Sequence, residues 1–588
     1  MTAFAHNLPF GATLVAPDRT RFRLWAPGQQ EVAVELEGGG PGGKQRLPMR
    51  RSADGWFETE APCGAGTPYR YRLGDGLLVP DPASRAQAPD VHDPSLVVDP
   101  RAYRWQNPGW RGRPWGETVL YELHAGCLGG FAGVQAMLPS LRELGVTAVE
   151  LMPVNDFPGK RNWGYDGVLP FAPDAAYGSP DALKALVDAA HGLGLTIFLD
   201  VVYNHFGPDG NYLAAYAPDF FRTDLQTPWG VAIDFRRPEV RRFFTENALY
   251  WLMEYRFDGL RFDAVHAIPE PDWLDEMAAE VRRTVEPERH VHLVLEHDGN
   301  RAEHLAHGFD AQWNDDAHHV LHAMLTGEAD GYYADYADRP AERLARALAE
   351  GFVYQGEPSA YRKGERRGTP SAHLPPTSFV LFLQNHDQIG NRPFGDRMTE
   401  KADPAALEAA IALQLLSPQI PLIFMGEEEG SRAPFLFFTD HHGDLADAVR
   451  EGRRREFAGF EGFRGGQTAA AIPDPNDPAT FERSRPLAGD GGRRALYRKL
   501  LGLRAAAIAP HLGGARSLGA AAAGTGAVVA RWRLGNGTVL SLASCLGAAA
   551  CRIDPLEGDV LFESRPGAGD RARSGSLQGP GTVALLAA

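Results

Sequence analysis

The chain has 588 residues, too many for a single hydrophobic core, so we expect two to four domains. Its 59 basic and 75 acidic residues give a net charge of −16, and a surface of this sign repels nucleic acids and anionic membranes. Hydrophobic residues make up 44% of the chain, which is enough for large buried cores and argues against a disordered protein.

The N-terminus, the lack of a long apolar run and the cysteines predict a cytoplasmic protein. The start, "MTAFAHNLPFGATLV", lacks the basic residues and the long apolar stretch of a signal peptide. No run of about 18 apolar residues occurs in the sequence, so we expect no transmembrane helix. Cys63, Cys127, Cys545 and Cys551 fit neither a disulfide framework nor a metal-ligand spacing, and they suit a reducing compartment.

The first hundred residues predict a small β-sandwich. Short alternating runs such as "TRFRLWAP", "EVAVELEGGG" and "YRYRLGDG" are each closed by Gly or Pro. The proline-rich stretch Val79–Pro100 that follows is typical of a linker laid over a neighbouring domain. We therefore expect an N-terminal domain over residues 1–110.

From residue 111 to 508, short apolar runs alternate with runs that have helical periodicity. Eight of them predict strands, and most of the connections between them contain a helix. Eight β-α repeats favour a (β/α)8 TIM barrel over an open doubly wound sheet, and no glycine-rich phosphate loop follows the first strand. The strand runs are "TVLYELHAGC", "AVELMPVND", "TIFLDVVYNH", "GLRFDAVHAI", "VHLVLEHD", "FDAQWNDD", "SFVLFLQNHD" and "IPLIFMGEEE". The last stretch, 509–588, has further strand-like runs such as "AVVARWRL" and "TVLSLASC", and it predicts a C-terminal all-β domain.

Most of the predicted barrel strands end in charged or hydrogen-bonding side chains. In a TIM barrel the carboxyl ends of the strands form the active face, so these side chains should meet at one mouth. A single carboxylate at a strand end is commonly a helix cap. Burying many of them together for purely structural reasons would be costly, because few cations are available to neutralise them. The groups are Asp200, Asn204 and His205; Arg261, Asp263 and His266; Glu296, His297 and Asp298; Asn314, Asp315 and Asp316; Asn385, His386 and Asp387; and Glu427, Glu428 and Glu429.

The residue types at this mouth favour glycoside chemistry. The chain has no G-x-S-x-G nucleophile elbow and no H-E-x-x-H zinc motif, so we predict no catalytic metal and no cofactor, while the sequence does not decide whether calcium binds. Paired carboxylic groups can instead attack an anomeric carbon and protonate a leaving oxygen. Aromatic residues in the loops above the second and third strands could stack on sugar rings or simply pack the loops; they are Trp163, Tyr165, Tyr203, Tyr212 and Trp229.

Four short motifs resemble those of the α-amylase superfamily, in the same order along the barrel. They are "DVVYNH", "GLRFDAVHAI", Glu296 and "LQNHDQ". The N-terminal domain resembles the carbohydrate-binding-like module that precedes the barrel in branching and debranching enzymes. The stretches "AVHAI", Gln312–Tyr336 and Pro434–Phe457 are similar, more narrowly, to the maltooligosyltrehalose trehalohydrolases of this superfamily.

The resemblance implies roles for individual residues. Asp263 would be the nucleophile, Glu296 the general acid/base and Asp387 the stabiliser of the oxocarbenium-like transition state. Arg261 lies on the same strand face as Asp263, so its charge should lower the pKa of that carboxyl, whereas Glu296 needs a raised pKa. The remaining substrate-binding candidates are His205 and His386 as donors to the sugar, Tyr165, Trp163 and Trp229 as aromatic contacts, and Asp200 and Asn204 as residues that hold the site together.

The resemblance also implies the reaction. The enzyme would cut the α-1,4-glucosidic bond next to the terminal trehalose of maltooligosyl trehalose with retention of configuration. Two alternatives stay open: a branching or debranching enzyme acting on an α-glucan oligosaccharide, and a catalytically inactive barrel that only binds glucan. The expected partner is a carbohydrate, and the expected assembly is a monomer or a weak homodimer.

Overall fold

The computed structural model describes residues 3–38, 43–457, 471–489 and 491–588. At its centre is a closed barrel of eight parallel strands arranged in chain order. The predicted (β/α)8 barrel is therefore confirmed. We number the barrel strands one to eight: Leu120–Leu123, Ala148–Leu151, Thr196–Val201, Gly259–Phe262, His292–Leu295, Ala311–Trp313, Phe379–Phe382 and Ile420–Phe424.

Some of the helices that alternate with these strands begin at side-chain caps. The Ser179 side chain accepts a hydrogen bond from the backbone of Ala182, with Pro180 at the first helical position, and Asp403 caps its helix in the same way. No helix in the described part of the chain is both long and apolar enough to cross a membrane. The longer helices are Gly130–Leu144, Pro180–Gly192, Pro238–Met253, Asp272–Thr284, Asp315–Thr326, Pro340–Glu350, Pro404–Leu416, Gly443–Phe457 and Gly492–Ala507.

The interior of the barrel changes character along its axis. Apolar side chains such as Leu120, Phe198 and Val294 fill its amino-terminal half. Side chains of a strand alternate between its two faces, so the inward positions two residues further on are 122, 200 and 296. These positions carry Glu122, Asp200 and Glu296, and the upper half of the barrel is therefore polar.

Two antiparallel sheets form the N-terminal part. Alternation along their strands buries Phe22, Val34 and Tyr71 between them. One sheet consists of Gly11–Ala16, Arg19–Trp25, Trp56–Ala61 and Arg50–Arg51, and the other of Lys44–Pro48, Val32–Glu37, Pro68–Leu73, Leu78–Val79 and Ser95–Leu96.

One buried carboxylate joins the N-terminal part to the barrel. Glu254, at the end of a barrel helix, is almost completely buried and accepts a hydrogen bond of 3.1 Å from the backbone of His6. Arg85 and Lys184 each place a side-chain nitrogen 3.6 Å from its carboxylate oxygens. Two cations and one backbone N–H, from three separate segments of the chain, thus stabilise one carboxylate, as its burial requires.

The C-terminal part is built around a five-stranded β-sheet, as the sequence predicts. Trp532 lies on the inner face of the main sheet, is fully buried and donates from Nε1 to the carbonyl of Leu348 at 3.3 Å. The Thr582 hydroxyl donates to the carbonyl of Ala409 at 2.7 Å. Both contacts reach helices of the barrel, so the two parts share a packed interface. The sheet runs in the order Arg516–Ala522, Ala527–Arg533, Val539–Cys545, Gly581–Ala587 and Asp559–Glu563.

Candidate active site

A cavity of about 450 Å³ opens at the carboxyl ends of the barrel strands. Within the described ranges there is no cluster of three or more His, Cys, Asp or Glu side chains placed to hold a metal ion. Most of the site residues predicted from the sequence line this cavity: Trp163, Tyr165, His205, Trp229, Asp263, Glu296, His386 and Asp387. The other three, Asp200, Asn204 and Arg261, lie directly behind the acids.

Three acids reach the cavity from three strands. Asp263 and Glu296 follow strands four and five, and Asp387 lies in the short helix His386–Gly390 after strand seven. Arg261 joins the first two acids, because its Nη1 donates to Asp263 at 2.8 Å and its Nη2 to Glu296 at 2.8 Å. The two carboxylates therefore face one guanidinium and one cavity.

Arg261 is fully buried and serves more than one acid. Its Nη1 also donates to Asp200 at 2.7 Å. Its guanidinium lies 4.3 Å from the ring centroid of Trp313, a cation–π contact from strand six. A planar guanidinium offers donors in several fixed directions, so one side chain can hold three carboxylates at once.

The surroundings drive the pKa values of the first two acids in opposite directions. Burial acts to raise the pKa of Asp263, but Arg261, His205 and the amide of Asn204 outweigh it and hold the pKa below its usual value. Burial also raises the pKa of Glu296, and the nearby Asp263 carboxylate raises it further. The pKa of Glu296 therefore reaches about 7, although the positive charge of Arg261 acts to lower it. Asp263 is thus poised as a carboxylate and Glu296 as an acid.

Asp387 is the most open of the three acids. Burial, with help from the Glu296 carboxylate, raises its pKa to about 6, and the neighbouring His386 works against that rise. Its side chain is 35% exposed, so solvent in the open cavity moderates the effect of burial. We therefore take Asp387 to be ionised at neutral pH.

Asn204 and His205 support the nucleophile position from strand three. The Asn204 side-chain amide donates to Asp263 twice, to Oδ2 at 2.8 Å and to the backbone carbonyl at 2.8 Å. Its Oδ1 contacts Nδ1 of His205, whose Nε2 lies 3.0 Å from the carbonyl oxygen of Tyr165. Both ring nitrogens of His205 therefore have partners within the protein.

Tyr165 and His386 form one wall of the cavity. Their rings stack at a centroid distance of 5.1 Å and an angle of 25°. The Tyr165 hydroxyl donates to Asp200 at 2.6 Å and lies 2.8 Å from Nε2 of His386. The wall is thus fixed by hydrogen bonds, and both residues line the cavity.

The two tryptophans differ in their surroundings. Trp163 is buried, stacks on Phe435 at 5.2 Å and donates from Nε1 to the carbonyl of Leu436 at 2.9 Å. Trp229 is 45% exposed and stacks on His205 at 5.4 Å. It lies at the turn of a hairpin formed by Phe221–Thr227 and Gly230–Ile233. Trp229 thus presents the more accessible surface to a ligand.

One side of the cavity is not predicted by the sequence pattern, and some of the polar and aromatic residues that the pattern indicates lie outside the cavity. Tyr332, Tyr361 and Arg362 line the cavity, and the aromatic run "GYYADY" was the available signal for the first of them. Tyr203 instead packs in the core, with its hydroxyl 2.7 Å from Asn247. Glu427 and Glu428 are paired behind the mouth with the hydroxyls of Tyr497 and Tyr121.

Comparison with known proteins gives matches to named families. The family model described as "Alpha amylase, catalytic domain" matches residues 104–224, and a "Domain of unknown function (DUF3459)" matches residues 515–586. A Deinococcus radiodurans protein named malto-oligosyltrehalose trehalohydrolase is 42% identical over 82% of this chain and 81% of its own length. A crystal structure from Salmonella typhimurium, described provisionally as an alpha amylase, has a TM-score of 0.91 and 45% identity, covering 99% of this chain and 100% of that one. A Burkholderia thailandensis protein named 1,4-alpha-glucan branching enzyme GlgB is 34% identical over only 42% of this chain and 33% of its own.

Proposed function

The chain belongs to the malto-oligosyltrehalose trehalohydrolase family, and we propose that it hydrolyses the α-1,4-glucosidic bond next to the terminal trehalose of maltooligosyl trehalose. The products would be trehalose and a shortened maltooligosaccharide. One observation carries the proposal: Asp263 and Glu296 share the Arg261 guanidinium at one cavity, and their pKa values are driven apart. Two carboxylic groups in different protonation states are what glycoside cleavage needs.

The proposed reaction has two steps. Asp263 attacks the anomeric carbon of the glucosyl ring in the cavity, while Glu296 gives its proton to the oxygen of the departing trehalose. A covalent glycosyl-enzyme results. Glu296, now a carboxylate, takes a proton from water, which attacks the same carbon and releases Asp263. Two displacements at one carbon retain its configuration.

The proposed supporting roles follow from the contacts. Asp387 would stabilise positive charge on the ring and bind its hydroxyls, because its open side chain faces the cavity. Tyr165 and His386 would form the wall against the reacting ring, and Trp229 an aromatic platform further out. The remaining predicted residues would act by holding these groups in place; they are Asn204, Asp200, His205, Arg261 and Trp163.

Two stretches that resemble those of the trehalohydrolases, Gln312–Tyr336 and Pro434–Phe457, supply candidates for recognition of the trehalose unit. Asp315 and His319, from "WNDDAHH", line the cavity. Phe437, from "PFLFFTDHH", lines it as well. We propose that these side chains contact the leaving trehalose.

Product analysis separates this proposal from its alternatives. The purified protein is incubated in parallel with maltooligosyl trehalose and with amylose. Free trehalose is expected from the first substrate, with retained configuration at the new reducing end. New α-1,6 branches in amylose without any trehalose would instead identify a branching enzyme. No turnover of either substrate would favour the glucan-binding barrel.

We also propose that the protein works in the cytoplasm as a monomer or a weak homodimer. Its four cysteines all lie in the described ranges and are free thiols, which suits a reducing compartment. Cell fractionation and size-exclusion chromatography with light scattering test the two points. A protein found in the periplasm or a tight tetramer would contradict them.

A further inference from the structure

Glu122 is a buried carboxyl group that the proposed mechanism does not use. It lies on barrel strand one, opposite Glu150 of strand two in the sheet register, and is 1% exposed. Its Oε2 accepts a hydrogen bond of 3.1 Å from the backbone N–H of His386, and its Oε1 contacts Nδ1 of the same residue. Both carboxyl oxygens therefore engage a single residue of the cavity wall.

The hydrogen bonds on the far side of His386 fix its tautomer. Oδ2 of Asp200 accepts from the Tyr165 hydroxyl at 2.6 Å and from Arg261 at 2.7 Å, as a carboxylate oxygen with two lone pairs can. The hydroxyl hydrogen of Tyr165 is thus committed to Asp200. Its oxygen can only accept from His386 Nε2, 2.8 Å away, so that nitrogen carries a hydrogen.

With the hydrogen on Nε2, a neutral His386 ring has a lone pair at Nδ1. Oε2 of Glu122 is already occupied by the backbone N–H, so Oε1 is the oxygen that can carry a hydroxyl hydrogen toward Nδ1.

Burial raises the pKa of Glu122 to about 8, although the positive charge of Arg261 acts to lower it. Burial lowers the pKa of His386 to about 4. The charged and titratable groups that face Glu122 are His386, Arg261 and Glu150, whose pKa is also raised by burial to about 8.

We propose that Glu122 is a positioning residue: as a neutral carboxylic acid it donates a hydrogen bond to Nδ1 of His386 and keeps the Nε2–H of that ring directed at the Tyr165 hydroxyl in the wall of the glucosyl site. Nε2 also lies 3.6 Å from Oδ1 of Asp387, so the ring that Glu122 orients is next to the proposed transition-state stabiliser. This inference rests on the function proposed above, because it concerns the reaction at the same site.

Two substitutions of Glu122 test the donor role. A glutamine side chain can donate to Nδ1 and accept from the backbone N–H, so E122Q should keep kcat within about threefold of the wild type. E122M has a similar size but no donor, and it should lose roughly 10–100-fold in kcat, the typical cost of losing the partner that orients a histidine. KM should change little in either variant, because the ring wall stays in place.

Glu150 provides the matched control. It is equally buried, on the neighbouring strand, and neither of its carboxyl oxygens has a hydrogen-bond partner. E150Q should therefore keep the wild-type kcat. If E122Q lost as much activity as E122M, Glu122 would be an ionised acceptor of Nδ1–H, and the inference would be wrong. Wild-type kcat in E122M would overturn it equally.

The pH profile gives a second readout, which also serves if E122M does not fold. In the wild type, log kcat/KM should fall with a slope of about −1 once Glu296 loses its proton and about −2 above roughly pH 8, where Glu122 also ionises. E122Q has no proton to lose at this position and should keep the slope of −1, whereas E150Q should keep the steeper limb. An unchanged −2 limb in E122Q would overturn the inference. If the wild-type protein released no trehalose from maltooligosyl trehalose, the proposed function itself would be wrong.

Discussion

At the scale of single residues, the site depends on how one arginine is shared. The inward positions of strand four are Arg261 and, two residues later, Asp263. The guanidinium contacts both the proposed nucleophile and the proposed acid. Burial decides the pKa of Glu296, which rises, whereas the attraction of nearby positive charge and hydrogen bonds decides the pKa of Asp263, which falls. The division of labour between two chemically similar carboxyls therefore comes from their surroundings.

We predict that Asp263→Ala and Glu296→Gln each abolish turnover without unfolding the protein. Both remove a group that acts in the bond-breaking step, so kcat for trehalose release should fall at least about a thousandfold. Circular dichroism should show an unchanged fold. Asp219→Asn, which changes an exposed carboxylate elsewhere, serves as the control and should retain full activity. Near-normal turnover by either active-site variant would refute the assignment.

The raised pKa of Glu296 predicts an alkaline limb in the pH profile. In the proposed mechanism the acid form of Glu296 is the proton donor, and that form is lost as the pH rises through about 7. We expect kcat/KM to fall from about this pH upward. The thermal midpoint, measured over the same range, separates this titration from unfolding. A flat profile between pH 6 and 9 would mean that Glu296 is not the donor.

At the scale of elements, the hairpin that carries Trp229 extends the cavity outward. Trp229 stacks on His205, and its exposed face continues the aromatic wall. Val231, on the second strand of the same hairpin, is also exposed but does not belong to the cavity lining. One element thus offers both a test position and a control.

We predict that Trp229→Ala raises KM for maltooligosyl trehalose, with a smaller effect on kcat. Loss of one aromatic contact costs about 0.5–1.5 kcal/mol, which corresponds to roughly a 2- to 12-fold change in affinity. Trp229→Phe should restore most of the affinity, and Val231→Ala should leave KM unchanged. Steady-state kinetics with the trehalosyl substrate provide the measurement. An unaltered KM in the alanine variant would exclude Trp229 from substrate binding.

The strands were predictable because each barrel strand is a short apolar run that ends in polar residues. The alternation that buries Leu120 also turns Glu122 inward, and this local rule needs no tertiary information. Alternation does not predict that Glu427 and Glu428 accept hydrogen bonds from tyrosine hydroxyls, because those tyrosines lie far away in the chain. The cavity wall formed by Tyr361 and Arg362 belongs to a long connection, where no periodicity indicates which side chains face the site.

At the scale of the whole molecule, the C-terminal sheet packs on the barrel through a few large side chains. We propose domain boundaries near residues 110 and 508, with the helix Gly492–Ala507 closing the barrel part. Trp532 fills the interface, and its indole is satisfied by a carbonyl of the barrel helix Pro340–Glu350. The catalytic acids belong to other elements of the barrel.

We predict that Trp532→Ala destabilises the protein but spares its catalysis. Truncation of a buried tryptophan costs about 3–5 kcal/mol, so the thermal midpoint should fall by several degrees. kcat at a temperature where the variant is folded should match the wild type. Trp229→Ala, whose side chain is exposed, should leave the thermal midpoint unchanged. A loss of kcat in folded Trp532→Ala would show that the interface reaches the active site.

The Glu254 junction limits how this protein can be recombined with its relatives. Its carboxylate contacts three segments: the backbone of His6 near the start of the chain, Arg85 in the linker and Lys184 in a barrel helix. A chimera that exchanged the first 110 residues for a module without equivalents of His6 and Arg85 would leave Glu254 with Lys184 as its remaining partner in the buried junction. The N-terminal module is therefore a specific fit to this barrel, and a successful graft has to transplant the partners together with the sheet or replace the acid with an apolar side chain.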